Sequence, residues 1–292
     1  MTADRKVVHR IEEGMDPSGV YCTTYQMRNF YAQLADGFFS SLDVMNYIQH
    51  HAAVERMRNG WRVLDVCCGR GMLLPLIRRY KGGTYVGCPL IREYVGVDIS
   101  EKNISEQLRK SGTKEIEDIH AYYRFKVTHV ICSAEEMDAH LEPGSFDLIV
   151  YTSSIEHMQK EVGEKSLANC FRLLKPGASM FLSCPNTPNK KDPYDTQYPA
   201  HVYEWGLDEL REAVQKTGFG IEEEYGLVAK VKEFERWLAN QEDVRVRDQY
   251  WALKRYLPRA WLMAFMPILY PEAAAEVLLI CRKPSRRGRK LL

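Results

Sequence analysis

The sequence has no C-x-x-C pair, no apolar run of membrane-spanning length and almost no net charge. Each absence removes a class of protein. Lys+Arg 40 against Asp+Glu 39 leaves a net charge of +1, so nothing global points to a polyanionic partner or a strongly acidic substrate. The longest apolar stretch, "WLMAFMPILY", is interrupted by Pro267 and falls far short of the roughly 20 residues that cross a bilayer. Eight cysteines are many, but Cys67 and Cys68 are adjacent and the rest are scattered, whereas zinc sites space their paired ligands. Several lie in apolar runs ("VICSA", "MFLSCPN", "LLICRK"), where cysteine behaves as a small hydrophobe. The opening "MTADRKVVHRIEEG" has no apolar signal core. The expectation is a cytoplasmic protein with free thiols and no membrane contact.

What is present alternates. Residues 24–58 carry aromatic and aliphatic residues near a period of 3.6, which predicts helix up to the break at Asn59-Gly60. Then come a strand ("WRVLDV"), a helix ("MLLPLIRRY"), a strand ("YVGVDIS") and a helix opened by Ser100 as N-cap. "FKVTHVICS" and "SFDLIVYTSS" read as strands, and "KEVGEKSLANCFRLLKPG" as a helix ending at Pro176-Gly177. "ASMFLSCPN" is a strand, "LDELREAVQKTGF" a helix, and "FGIEEEYGL" and "AEVLLICRKP" are edge strands. Strands alternating with helices predict a doubly wound α/β sheet covered on both faces. The helical, aromatic stretch at about 232–271 is long for a connection and predicts a helical insertion before the last strand. The expected organisation is an N-terminal helical lid over 1–58 and one large domain over 59–292, with a basic tail at 282–292.

In open α/β sheets ligands bind at the carboxyl ends of strands. The first strand ends in Asp65-Val66-Cys67-Cys68-Gly69-Arg70-Gly71, a small-residue bend that lets a ligand approach the backbone. It is not a dinucleotide fingerprint, because Leu74 stands where a third glycine is needed, and it lacks the G-K-[ST] of a phosphate loop. The second strand ends in Asp98, a carboxylate placed to take two ribose hydroxyls.

Asp65-x-x-x-Gly69-x-Gly71, Asp98 closing "VGVDIS", "CSAEEM", "FDLIVYTSSIEHM" and "LLKPGASMFLSCPN", in this order from Val63 to Gly226, together resemble the class I S-adenosylmethionine-dependent methyltransferases. Cys67 stands where that family usually has its first loop glycine, and the stretch from Gly71 to Asp98 is lengthened. The resemblance implies a mostly parallel seven-stranded sheet with its last strands at one edge, one of them antiparallel, and S-adenosyl-L-methionine as cofactor. It also implies site roles. Asp65, Cys67, Gly69 and Gly71 would form the cofactor loop, and Asp98 and Ile99 would hold the ribose and pack on the adenine. Ser133, Ala134 and Glu135 would frame the adenine edge, and Tyr151 and Thr152 would lie under the sulfonium. Tyr25 is expected in the cleft from the lid.

Methyl transfer needs an acceptor lone pair held in line, and a base only where a proton must leave early. Glu156, His157 and His201 are the candidate catalytic residues. They match positions in small-RNA 3′-end 2′-O-methyltransferases, which carry E-x-x-E-H and a later histidine and bind a divalent metal with them. Ser153 replaces the first glutamate here, and losing a charged oxygen ligand weakens such a site, so no metal is expected. The acceptor expected is an oxygen or nitrogen of a small metabolite or sugar-like molecule. The alternatives are RNA or a nucleotide, for which the basic tail argues, and a non-catalytic cofactor-binding partner subunit. Sequence leaves the oligomeric state open.

Overall fold

The computed structural model describes residues 41–81, 91–110, 123–186, 193–194, 196 and 199–285. β1 (Arg62–Val66), β2 (Glu93–Asp98), β3 (Lys126–Ile131), β4 (Phe146–Thr152), β5 (Leu174–Pro185), β6 (Gly220–Val228) and β7 (Glu276–Arg282) form one sheet in the order β3-β2-β1-β4-β5-β7-β6. The first five strands pair in parallel, and β7 runs antiparallel to both β5 and β6. The strand order reverses between β1 and β4, so the crevice at their carboxyl ends is the topological switch point where this architecture binds ligands.

Eight helices flank the sheet among the described residues: α1 (Ser41–Arg56), α2 (Leu73–Lys81), α3 (Glu101–Lys110), α4 (Lys160–Leu173), α5 (Leu207–Thr217), α6 (Val231–Ala239), α7 (Val244–Lys254) and α8 (Arg259–Leu269). Successive strand residues point to opposite faces, so the sheet feeds two cores. Leu64, Ile149 and Leu182 pack with α4 and α5, whereas Val63, Leu148 and Phe181 pack with α1 and α2. Helices α6 to α8, between β6 and β7, share a third core around Phe234, Tyr250 and Met263. It meets the sheet closely: a Cβ on Gly226 of β6 would sit 2.3 Å from the Pro267 carbonyl oxygen of α8.

Local signals explain most boundaries. Ser100 caps α3 by accepting the Asn103 amide at 3.3 Å, and Gly218 closes α5 at φ 108°. Gly60, at φ 76°, makes the turn into β1. One boundary differs from expectation. α4 stops at Leu173, and the chain is already extended at Leu174 (φ −69°, ψ 142°), ahead of Pro176-Gly177. Proline disfavours helix in the residue before it and offers no N–H, so the Pro-Gly pair lies inside the start of β5. Of the helix expected over 24–58, residues 24–40 lie outside the described residues.

Candidate active site

The bend after β1 takes left-handed backbone three times: Cys67 at φ 56°, Gly69 at 53° and Gly71 at 71°. Glycine does this freely, while for Cys67 it costs on the order of 1 kcal/mol. The loop is pinned to β2, since the Cys68 amide donates to the Val97 carbonyl at 2.9 Å. It is braced from α3, since Gln107 Nε2 donates to the Gly69 carbonyl at 2.5 Å. Gln107 Oε1 in turn lies 2.8 Å from His129 Nε2. An amide oxygen only accepts, so His129 donates from Nε2, and burial lowers its pKa to about 4 and keeps it neutral. A Cβ on Gly71 would fall 2.6 Å from Gln107 Oε1.

The two aspartates beside the loop differ. Asp98 faces it, with Oδ2 accepting the Gly69 amide at 2.8 Å and Oδ1 accepting the Ser100 amide at 2.8 Å and Asn103 Nδ2 at 3.3 Å. Asp65 turns beneath β2, where the Tyr94 hydroxyl donates to its Oδ2 at 2.7 Å. Burial, chiefly, pushes Asp65 up to about 7, against the Tyr94 hydrogen bond and with a contribution from Asp98. Ile99 is 75% exposed, an apolar face next to Asp98.

The other expected cofactor positions divide. Ser133 is half-buried after β3. The Ala134 and Glu135 carbonyls accept from Asn169 Nδ2 at 3.3 and 2.8 Å, and the Glu135 carboxylate pairs with Lys165 of α4 at 3.3 Å. Tyr151 is buried, with its hydroxyl 3.0 Å from Ser166 Oγ of α4. Its side chain thus points into the core, and this position offers the crevice its backbone. Thr152 Oγ1 lies 3.2 Å from His50 Nε2 of α1. Tyr25 lies outside the described residues.

A cavity of about 980 Å³ opens at the ends of β4, β5 and β7, within the usual size for a small-molecule site. Met45 and Asn46 of α1, Lys230 to Glu233 at the start of α6, and Arg259 and Met263 of α8 line it. Ser153, Glu156, His157, His201, Glu204 and Glu276 line it from the strand ends. The expected catalytic residues therefore do converge. The Val202 and Tyr203 amides donate to the Glu156 carbonyl at 2.8 and 3.1 Å, which ties the two segments together. His157 Nδ1 lies 2.8 Å from the Ala200 carbonyl. A carbonyl only accepts, so Nδ1 carries a proton, and Nε2 lies 3.9 Å from Glu156 Oε1. His201 Nδ1 lies 2.8 Å from Glu204 Oε1. Glu156, His157 and His201 each bring one ligand-type atom within 4.8 Å of the others. Geometry thus leaves room for a cation among the three, although Ser153 adds no charge to them.

Sequence reasoning missed the polar group behind Ser153. Ser153 itself is strained, at φ 47°. Its hydroxyl donates to Glu276 Oε1 at 2.5 Å and accepts from Gln49 Nε2 at 3.2 Å. Ser183 Oγ lies 2.7 Å from Gln49 Oε1 and 3.3 Å from Glu276 Oε1. Burial is the main reason that Glu276 is pushed up to about 7. Burial likewise raises Glu156 well above the ordinary carboxylate value, with the charges of Glu276 and Glu204 adding to it. The one available signal was the lone carboxylate opening "EVLLIC". Gln49, Ser183, Gln107 and His129 carried none.

Residues 26–224 match the family model described as "Methyltransferase domain". The chain belongs to this family, the class I S-adenosylmethionine-dependent methyltransferases. It is 24% identical over 186 residues to a Mycolicibacterium smegmatis protein described as "Probable S-adenosylmethionine-dependent methyltransferase", covering 61% of each chain. It is 29% identical over 145 residues to the ubiquinone biosynthesis O-methyltransferase of Methylococcus capsulatus, covering 49% of each. The chain thus spans between half and three fifths of these relatives' length. The solved Haemonchus contortus phosphoethanolamine N-methyltransferase 2, bound to phosphomonomethylethanolamine and S-adenosylhomocysteine, shares the fold with a TM-score of 0.52. That match has 20% identity and covers 82% of this chain and 53% of that one.

Proposed function

We propose that this chain transfers the methyl group of S-adenosylmethionine to an oxygen or nitrogen of a small-molecule acceptor held in the cavity at the ends of β4, β5 and β7. The observation that carries this reading is that the braced glycine loop follows β1 and the cavity opens beyond the carboxyl ends of β4 and β5, so both lie on the carboxyl side of the parallel strands. The cofactor half fits its ligand. A carboxylate offers about four lone-pair sites, and three internal bonds leave Asp98 one for a ribose hydroxyl. Ile99 supplies an apolar surface for the adenine, and Gly69 and Gly71 carry no side chain to keep the amino-acid end from the loop backbone.

When bound, the cofactor supplies an electrophilic methyl on a sulfonium. The chain's own part is to hold the acceptor in line and keep water out, and such positioning is worth about 7–11 kcal/mol. Glu156, His157 and His201 line the acceptor side together with Glu204 and Glu276, and a proton that must leave the acceptor would pass to this group. The segment 1–58 and the helical stretch 232–271 act as the lid in this reading, supported by α1, α6 and α8 all contributing to the cavity lining. Residues 59–292 then form the transferase domain. The basic residues 286–290 lie outside the described residues, and we assign them no part in turnover.

Labelled-methyl transfer to a panel of small acceptors and to an RNA oligonucleotide tests this, with the full chain and with a chain ending at Pro284. The expected result is transfer to at least one small acceptor, unchanged by the truncation. Transfer to RNA alone, abolished by the truncation, would overturn the small-molecule reading.

A further inference from the structure

Glu276 opens β7 and is 7% exposed. Both of its hydrogen bonds fall on Oε1, from Ser153 and Ser183, which leaves Oε2 for the cavity that the residue lines. Glu156, 2% exposed, lines the same cavity, and its Oε2 is buried with no hydrogen-bond partner. Among the described residues no lysine or arginine pairs with either carboxylate. The cations of the lining, Lys230, Lys232 and Arg259, come from the starts of α6 and α8 and not from the strand ends. Buried carboxylates are costly unless protonated or matched by a cation, and an orphaned oxygen beside a cavity marks where a ligand's donor belongs.

These carboxylates stand apart from the cofactor loop. Glu276 is three strands from β1, through β4 and β5, or about 14 Å at the usual strand spacing. Asp65 and Asp98 are the carboxylates at the loop. Beside a neutral hydroxyl acceptor these carboxyls would stay protonated, whereas an ammonium matches them in their ionised form.

Resting on the methyltransferase reading, we infer that the acceptor is an amine, bound as its ammonium between Glu276 and Glu156, and that Glu276 takes the proton the nitrogen must lose. The ammonium gives one proton to Glu276 Oε2, which makes a carboxylic acid and frees the nitrogen lone pair. The N–C bond forms as the methyl–sulfur bond breaks, and the electron pair of that bond stays on sulfur. The methylated product keeps the positive charge, and Glu276 returns its proton to solvent, one per turnover. That burial holds Glu276 near neutrality suits this exchange.

The test uses the full chain saturated with S-adenosylhomocysteine, in EDTA and then in Mg²⁺ or Mn²⁺. Three matched pairs are titrated: phenethylamine and phenethyl alcohol, butylamine and butanol, glucosamine and glucose. Labelled-methyl transfer to each, and to catechol as an oxygen acceptor, is measured in parallel. At least one amine should bind tenfold or more tighter than its alcohol in EDTA. Glu276→Gln and Glu156→Gln should each weaken that binding tenfold or more while S-adenosylhomocysteine affinity stays within twofold. Glu276→Gln should also lower turnover at saturating amine. No amine preference in any pair, amine binding only with a divalent cation, or unchanged amine binding and turnover in Glu276→Gln overturns the inference. Catechol methylated with no amine methylated overturns the amine alone, whereas failure of the wild-type chain to bind S-adenosylhomocysteine removes the methyltransferase reading itself.

Discussion

At the residue scale, Asp65 accepts a hydrogen bond from the Tyr94 hydroxyl in a buried site that pushes its pKa from 3.8 up to about 7. In the unfolded chain it ionises near 3.8, so the folded state holds the extra proton between those values. The stability contributed by that proton is complete below 3.8 and lost as pH rises through about 7. Asp65→Asn removes the titration and keeps an acceptor for Tyr94. Its stability relative to the wild type should therefore rise between pH 4 and pH 8 by on the order of 3–4 kcal/mol, read from urea unfolding at each pH. Gly71→Ala places a methyl against Gln107 at φ 71°, which should cost about 1–3 kcal/mol and weaken cofactor binding, because the brace to the Gly69 carbonyl shifts. The loop glycines and Asp98 were legible because their roles are local, a bend and an acid at a strand end. Gln107, His129 and Glu276 were not, because each acts on residues far along the chain, as Glu276 does on Ser153.

At the scale of elements, the tightest junction is α8 on β6. A Cβ at Gly226 would fall 2.3 Å from the Pro267 carbonyl oxygen and 2.7 Å from Ala274 Cβ, and backbone cannot rotate aside as a side chain can. Gly226→Ala should destabilise the protein by about 1–3 kcal/mol or more and lower the melting temperature by several degrees, measured calorimetrically. The same shift moves Arg259 and Met263 at the cavity wall, so acceptor turnover should fall with it. Strand positions were legible because β1 and β2 are buried almost throughout and read as continuous apolar runs. The end of α4 was misplaced because Pro176-Gly177 looks like a helix stop, while the proline's effect on the preceding residues begins the strand earlier. The antiparallel pairing of β7 has no signature in its own residues and came from resemblance.

At the scale of the whole molecule, the sheet puts the loop after β1, the acid at the end of β2 and the cavity beyond β4 and β5 on the carboxyl side of its parallel strands. No helix among the described residues is long and apolar enough to cross a membrane. The balanced charge of +1 provides no field to gather a polyanion, so acceptor binding should depend only weakly on salt. Everything in the account depends on the cofactor occupying the loop beside Asp98. The most direct measurement is calorimetric titration of S-adenosylhomocysteine into the wild-type chain and into Asp98→Ala. One-to-one binding to the wild type is expected, weakened in the variant by about 1.5–3 kcal/mol for lost hydrogen bonds to a charged group. No binding to the wild type, or equal affinity in the two proteins, would contradict the account.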